Sequence, residues 1–199
     1  MSHPSSIAVP YPASPSLRLM DSLNSRWHKA ALFSFLVIVL FHWAEHLVQA
    51  YQVFVLHWPR KMSMGILGMY YPWLMSTEAL HYGFALVMLI GLWMLRKGFV
   101  GTSHKWWMAS FWLQFFHHFE HLILFYQANT HHYWFGGSVP TSIGQIWFPR
   151  IELHLFYNTI VFIPMVAAMY YHAYPPARDA VTMVCSCARH RHPVVAMAA

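Results

Sequence analysis

The chain has 199 residues, of which 58% are hydrophobic and only 9% are charged. Soluble globular domains carry about 25% charged residues, so this composition excludes an ordinary water-soluble domain and favours a membrane protein. The formal net charge of +6 does not indicate a nucleic-acid partner, because the basic residues are scattered between apolar runs and no nucleic-acid-binding motif is present.

Four apolar segments are long enough to cross a lipid bilayer, which takes about 20 helical residues. They run from about Ala30 to Trp58, Pro72 to Leu95, Lys105 to Tyr126 and Pro149 to His172. Residues 1–29 form an N-terminal tail, and residues 174–199 form a C-terminal tail that we expect to be disordered. The sequence therefore predicts an all-α integral membrane protein with a four-transmembrane-helix bundle at residues 30–173.

Basic residues give the expected orientation, because cytoplasmic loops carry an excess of Lys and Arg. Nine basic residues flank the four segments on one side, and three flank them on the other. The three are Arg60, Lys61 and Arg150. We therefore expect a multi-pass protein of the cytoplasmic membrane with both termini in the cytoplasm.

A twelve-residue pattern, F-H-x-x-E-H-L-x-x-x-Y-Q, occurs twice with an offset of 75 residues. The copies span residues 41–52 and 116–127, in the first and third apolar segments. This repetition predicts two repeated helical hairpins, at about 30–97 and about 104–173.

Four glutamates lie inside the predicted spans, each within three positions of a histidine. They are Glu45, Glu78, Glu120 and Glu152. A charged side chain at the bilayer centre costs about 2.5–3.5 kcal/mol even on a lenient insertion scale. We therefore expect protonation, histidine or a metal ion to neutralise these carboxylates.

Helical geometry places histidines and glutamates on shared faces, because residues three or four apart lie on the same side of a helix. All four segments contribute such residues between the bilayer centre and the outer surface. The predicted metal ligands are His42, Glu45, His46, Glu78, His81, His117, Glu120, His121 and His154.

Imidazole and carboxylate ligands suit iron, copper, zinc and manganese. We expect one or two ions of non-haem iron or copper, ahead of zinc or manganese. Glu45 and Glu120 are the expected catalytic groups, which would bridge the ions or move protons. The residues expected to orient the ligands are Gln49, Asn158, Glu152 and His118.

This pattern predicts a metal-dependent membrane oxidoreductase of monooxygenase, hydroxylase or desaturase type, acting on an apolar substrate from the bilayer. It would need an electron-donor protein, because the sequence has no nicotinamide or flavin motif. The sequence leaves open a metal-ion transporter or channel, a b-type haem electron-transfer protein, a zinc peptidase and a metal-free polar network. It also leaves open a homo-oligomer.

Two features lie outside this predicted site. Cys185 and Cys187 lie in the C-terminal tail, where disorder is favoured over a soft-metal site with His190 and His192. The outer loop from about residue 128 to 146 is long enough to cover the site as a lid.

Overall fold

The fold was analysed in a computed structural model that describes residues 15–75 and 77–187. Within these ranges the chain is all-helical and has no β-strand. The helices are α1 (Pro15–Asn24), α2 (His28–Phe54), α3 (Gly65–Tyr70), α4 (Pro72–Met75), α5 (Glu78–Leu95), α6 (Gly101–Thr130), α7 (Arg150–Ala173) and α8 (Ala177–Ala180). Single turns of 3₁₀ helix lie at Arg60–Met62, Arg96–Gly98 and Gly144–Ile146.

Three helices are long and apolar enough to cross a membrane, and they indicate a membrane protein. They are α2, α5 with the 3₁₀ turn that follows it, and α7. The second predicted segment differs most from the structure. The helix that begins at Pro72 ends at Met75, and a new helix begins at Glu78 after an extended Thr77.

Helix α6 matches the third predicted segment but is not among the three apolar helices. It is the longest helix, with 30 residues. Its inward side carries buried polar side chains such as Gln114 and Gln127, whereas Trp112, Phe116 and Phe119 are exposed on its outward side. Because the polar and aromatic faces average out, hydropathy alone does not mark this helix as a span.

Helix α6 packs against α5 and α7, and α2 contacts both α5 and α7. Side chains of α6 also bond to the backbone of its neighbours: Trp107 Nε1 donates to the Leu92 carbonyl at 2.7 Å, and Gln114 Nε2 donates to the Ala85 carbonyl at 3.1 Å. Hydrogen bonds and close packing stabilise helix contacts in lipid, where the hydrophobic effect supplies little.

The interior of the four long helices has two levels. An apolar core lies towards the chain termini, and its most deeply buried members include Leu92, Trp107 and Met165. Polar side chains, mostly histidines, lie towards the loops that precede α5 and α7. The candidate site is therefore at the loop end of the helices, beyond an apolar core.

The start of the C-terminal tail is folded against the helices. Helix α8 is followed by Cys185, which is buried. The Asp179 carboxylate accepts a hydrogen bond from the Thr102 backbone N–H at 2.8 Å, which holds the pKa of Asp179 below its usual range. The tail up to residue 187 thus differs from the predicted disorder, while His190 and His192 lie outside the described residues.

Candidate metal centre

Six histidines from the four long helices meet at one level. They are His42 and His46 on α2, His81 on α5, His117 and His121 on α6, and His154 on α7. His154 lies in the middle, with its ring centroid 4.7 Å from that of His46 and 4.8 Å from that of His121. All six were predicted as ligands, and the structure brings them together.

The six histidines include two pairs with matching geometry. The Nε2 atoms of His42 and His46 lie 3.1 Å apart, and those of His117 and His121 lie 3.2 Å apart. With His154, each pair forms a group whose ligand atoms all lie within 4.8 Å of one another. Two imidazole nitrogens bound to one ion at about 2.0–2.1 Å lie about 2.9–3.4 Å apart, so both pairs have a suitable spacing for a shared ion.

Two of the rings are oriented by oxygen atoms behind them. His46 Nδ1 lies 2.9 Å from Gln49 Oε1, and His81 Nδ1 lies 3.1 Å from the carbonyl oxygen of Thr77. An oxygen acceptor keeps the proton on Nδ1, so the Nε2 lone pair remains available to a metal. Gln49 thus makes the contact expected of an orienting residue, and the carbonyl of Thr77 adds one that the sequence did not indicate.

Aromatic rings hold two further histidines. The His42 ring stacks on Phe84 with centroids 3.8 Å apart, and the His117 ring stacks on Tyr157 with centroids 4.5 Å apart. His118 is half-buried on another side of α6 and contacts the Tyr82 ring instead, at 5.2 Å. It therefore lies beside a neighbouring helix and outside the groups that contain His154.

Glu45 and Glu120 bind the backbone of the loops that follow their helices. Both carboxylate oxygens of Glu45 lie 3.1 Å from the Leu67 backbone nitrogen, which donates to them. Glu120 accepts from the Gly144 N–H at 3.2 and 3.3 Å. In the described chain, the groups of three or more ligand atoms at this level contain histidine only. These predicted catalytic carboxylates therefore belong to neither histidine group, although each lines a cavity together with three of the histidines.

The other two glutamates are paired with arginines. Glu78 accepts two hydrogen bonds from Arg150, at 2.5 and 2.6 Å. Glu152 pairs with Arg60 at 2.5 Å. The carboxylates were expected to be neutralised by protonation, histidine or metal. In the structure, arginines neutralise Glu78 and Glu152. Glu78 belongs to neither histidine group but lines a cavity together with His46, His81 and His154. Glu152 belongs to no such group either.

The two copies of the sequence pattern make similar contacts in the structure, because the glutamine that ends each copy binds the backbone of the segment that follows it. In the first copy, Gln52 Oε1 accepts from the Gly65 N–H at 3.0 Å. In the second, Gln127 Oε1 accepts from the N–H groups of Trp134 and Thr141, at 2.9 and 3.3 Å. In both copies the histidine pair faces the interior, while the Glu and Gln hold the following loop.

Four cavities in the described part of the chain adjoin the histidines. The smallest, of about 10 Å³, is lined by residues that include His117, Glu120, His121 and His154. Another, of about 20 Å³, is lined by four of the six imidazoles and by Asn158. A third, of about 430 Å³, reaches His46, His81 and His154 and has Arg60, Lys61 and Arg150 in its wall. A fourth, of about 390 Å³, reaches His42, His46, His81 and Glu45. The rest of its wall consists of apolar side chains, namely Phe41, Ala44, Ile66, Leu67, Leu80 and Phe84. The centre is therefore reached by one polar cavity and one apolar cavity.

A second group of potential ligands lies at the other end of the helices and was missed by the sequence analysis. It consists of His28, His172, Cys185 and Cys187. The sequence analysis paired the cysteines with the tail histidines that follow them. The missed signal was the spacing within α2 and α7, where His46 follows His28 and His172 follows His154 by 18 residues each.

The chain matches no protein-family model, no curated protein and no solved structure. Its function must therefore be argued from its own residues.

Proposed function

We propose that the chain is a membrane metalloprotein in which the six histidines bind one or two ions of iron or copper. The protein would use this metal centre to oxidise an apolar, membrane-soluble substrate. The observation that carries this proposal is the convergence of six imidazoles around His154 next to an apolar cavity. The fourth membrane span is α6, and the four long helices form a bundle of two repeated hairpins. Both termini then lie on one side, which the distribution of basic residues assigns to the cytoplasm.

The donor set favours copper and iron. Imidazole suits copper, iron, zinc and nickel, whereas manganese prefers oxygen ligands. Because the glutamates bind loops and arginines, the ligand groups are richer in nitrogen than the sequence suggested, and manganese becomes less favourable. Zinc binds imidazole well but does not change oxidation state, so it would not serve an oxidoreductase.

A bound ion also satisfies a buried polar atom. Among the described residues, His154 Nε2 is buried and has no hydrogen-bond partner. An unsatisfied buried donor or acceptor costs about 1–3 kcal/mol. A metal at the centre would give this nitrogen a ligand bond, which a metal-free network does not provide.

The apolar cavity supports a substrate that comes from the bilayer. Its lining of aromatic and aliphatic side chains reaches His42, His46 and His81. In the proposed reaction, one atom of O₂ enters a C–H bond of the substrate and the other leaves as water. The two electrons come from a separate donor protein, and the two protons come from solvent.

Metal-ion transport is the second candidate, because the polar cavity of about 430 Å³ connects His46, His81 and His154 with the loop end. An ion path through the membrane needs polar groups along its length. Towards the chain termini, the histidines are followed by apolar side chains that include Val39, Met88 and Met165, all buried. This closed core favours a centre that retains its metal.

A b-type haem protein is the least favoured of the three candidate functions. The cavity among the histidines measures about 20 Å³, which is close to the volume that one water needs. The pairs of Nε2 atoms lie 3.1 and 3.2 Å apart. This space fits an ion and leaves no room for a porphyrin.

The proposal is tested by measuring the metal content and absorption spectrum of the full chain, purified in detergent without added metal. We expect copper or iron in the wild type and in His132→Ala, which changes an exposed loop histidine. His154→Ala should lose this metal, because His154 belongs to both groups. Wild-type protein without copper or iron, or unchanged metal in His154→Ala, would overturn the proposal.

The catalytic part is tested separately with metal-loaded protein in lipid vesicles. Addition of a chemical reductant should start O₂ consumption that depends on His154, without metal crossing the vesicle membrane. Metal flux across the vesicles without O₂ consumption would identify a transporter instead. A strong haem absorption band in the purified protein would identify a haem protein.

A further inference from the structure

A second cluster joins parts of the chain that are far apart in sequence. His28 is the first residue of α2, His172 lies in the last turn of α7, and Cys185 and Cys187 follow α8. One ligand atom from each of the four lies within 4.8 Å of every other. The cluster is thus placed where both ends of the helical region meet.

The distances fit a tetrahedral metal site. Cys185 Sγ lies 3.4 Å from His172 Nε2, and Cys187 Sγ lies 3.8 Å from His28 Nδ1. With Zn–S bonds of about 2.3 Å and Zn–N bonds of about 2.0–2.1 Å, sulfur and nitrogen ligands of one zinc ion lie about 3.5 Å apart. The two measured distances lie on either side of this value.

The segment that carries the cysteines is held by contacts that do not need a metal. The Ser186 N–H donates to the Ser25 carbonyl at 2.7 Å, and the Lys29 N–H donates to Ser186 Oγ at 3.1 Å. These bonds fix the residue between the two cysteines against the start of α2. Both thiols therefore lie next to His28 and His172 before any ion binds.

The cluster is enclosed. His28 and Cys185 are 0% and 1% exposed, and Cys187 is half-buried. The Phe99 ring packs against both imidazoles, with centroids 5.3 and 4.7 Å away. Gly98 approaches so closely that a Cβ atom there would lie 2.2 Å from His28 Nε2. An enclosed site with four protein ligands has no open position for a substrate, which is typical of structural zinc sites.

We propose that His28, His172, Cys185 and Cys187 bind one zinc ion that clamps the two ends of the helical region together. Two thiolates and two imidazoles in tetrahedral geometry select zinc. The ion would fasten the segment that carries the two cysteines to the start of α2 and to the end of α7. His46 follows His28 by 18 residues, a rise of about 27 Å along the helix, so this site is separate from the six-histidine centre.

Cobalt substitution tests this proposal, because Co²⁺ bound to thiolate shows a sulfur-to-metal charge-transfer band that an all-imidazole site lacks. The full chain is purified in detergent, stripped of metal and titrated with Co²⁺ and then with Zn²⁺. We expect the band in the wild type and its loss on addition of Zn²⁺. The variants His172→Ala and Cys187→Ser should bind cobalt at least tenfold more weakly. At saturating cobalt the band should also be weaker in Cys187→Ser, because one of the two thiolates is lost.

The matched control is His104→Ala, which removes a half-buried histidine that precedes the site at the start of α6 and bonds to the Arg96 carbonyl. It should keep the band. His154→Ala should also keep it, so that failure of the six-histidine centre is distinguishable from failure of the zinc site. Absence of the band in the wild type, or an undiminished band in Cys187→Ser, would overturn the proposal.

A measurement on the wild-type protein alone avoids any loss of folding in the variants. Alkylation of Cys187, the half-buried cysteine, should be slow in the zinc-loaded protein and at least tenfold faster after a chelator removes the ion. Equal alkylation rates with and without the chelator would contradict the site. An intramolecular disulfide in freshly purified protein, detected by mass, would also contradict it.

Discussion

Helices α2 and α7 each contribute histidines to two different clusters, one at each end of the helix. At the loop end, His46 and His154 lie among imidazoles, next to cavities of about 430 and 390 Å³. At the other end, His28 and His172 lie beside two thiols in an enclosed site. The same residue type on the same helices thus meets two environments. Access and the second ligand type, more than histidine itself, therefore distinguish the proposed reactive centre from the proposed structural site.

The sharpest test of the open centre compares two adjacent histidines. His117 belongs to a ligand group, whereas His118 contacts Tyr82. We expect His117→Ala to weaken copper or iron binding at least tenfold and His118→Ala to leave it unchanged, as measured by competition with a chelator. Equal effects of the two substitutions would remove the distinction between the faces of α6.

The closed cluster is tested at Gly98. A Cβ at this position would lie 2.2 Å from His28 Nε2, so Gly98→Ala should displace the ring and cost about 1–3 kcal/mol of folding free energy. The cobalt–thiolate band should be lost and the unfolding temperature in detergent should fall. Gly83→Ala is the control, because a Cβ there meets nothing within 4 Å. Copper or iron at the six-histidine centre should remain in both variants.

The next test asks whether a carboxylate belongs to the open centre. Glu120→Gln keeps an oxygen acceptor for the Gly144 N–H but removes the charge, so the loop contact should weaken by about 1 kcal/mol. Hydrogen exchange at residues 141–146 should accelerate, while the metal content stays unchanged. Loss of metal without faster exchange would show that Glu120 is a ligand and not a loop anchor.

The smallest effect is expected at Asp179, near the closed cluster. The Thr102 N–H holds the pKa of Asp179 below its usual range. A carboxyl whose pKa is lowered by folding stabilises the folded state at pH values above its pKa in the unfolded chain, which is about 3.9. This contribution is lost as the pH falls through the folded-state pKa.

The measurement compares unfolding temperatures of Asp179→Asn and the parent chain, both in a Cys185→Ser, Cys187→Ser background that has no zinc to release. The difference should be small at neutral pH and should vanish under acid. A difference that does not change between neutral and acidic pH would show that the carboxylate charge has no part in this contact.

The histidine centre was predictable because it depends on local geometry. His42 and His46, like His117 and His121, are one helical turn apart, and a helix places such residues on one face whatever surrounds it. The partners of the glutamates were not predictable in this way. Arg60 and Gly144 lie in 3₁₀ turns and Leu67 lies in the short helix α3. These groups reach the glutamates only once the segments between the long helices have folded back onto them.

The boundaries of the helices show the same limit. The fourth segment was predicted to begin at Pro149, and α7 begins one residue later, at Arg150. The prediction succeeded because proline is favoured at a helix start. The second segment also contains proline, at position 72, but there the helix ends after four residues. The cysteine cluster was missed for a related reason, because its four ligands come from three parts of the chain.

The outward pairing of the glutamates has an electrical consequence for the proposed centre. Each of the four carboxylates already has a backbone N–H or an arginine as its partner. An ion held only by neutral imidazoles keeps its full charge within a low-dielectric interior, where each added unit of charge costs more than in water. The lower oxidation state of such an ion would therefore be favoured, and the reduction potential of a metal at the proposed centre would be raised.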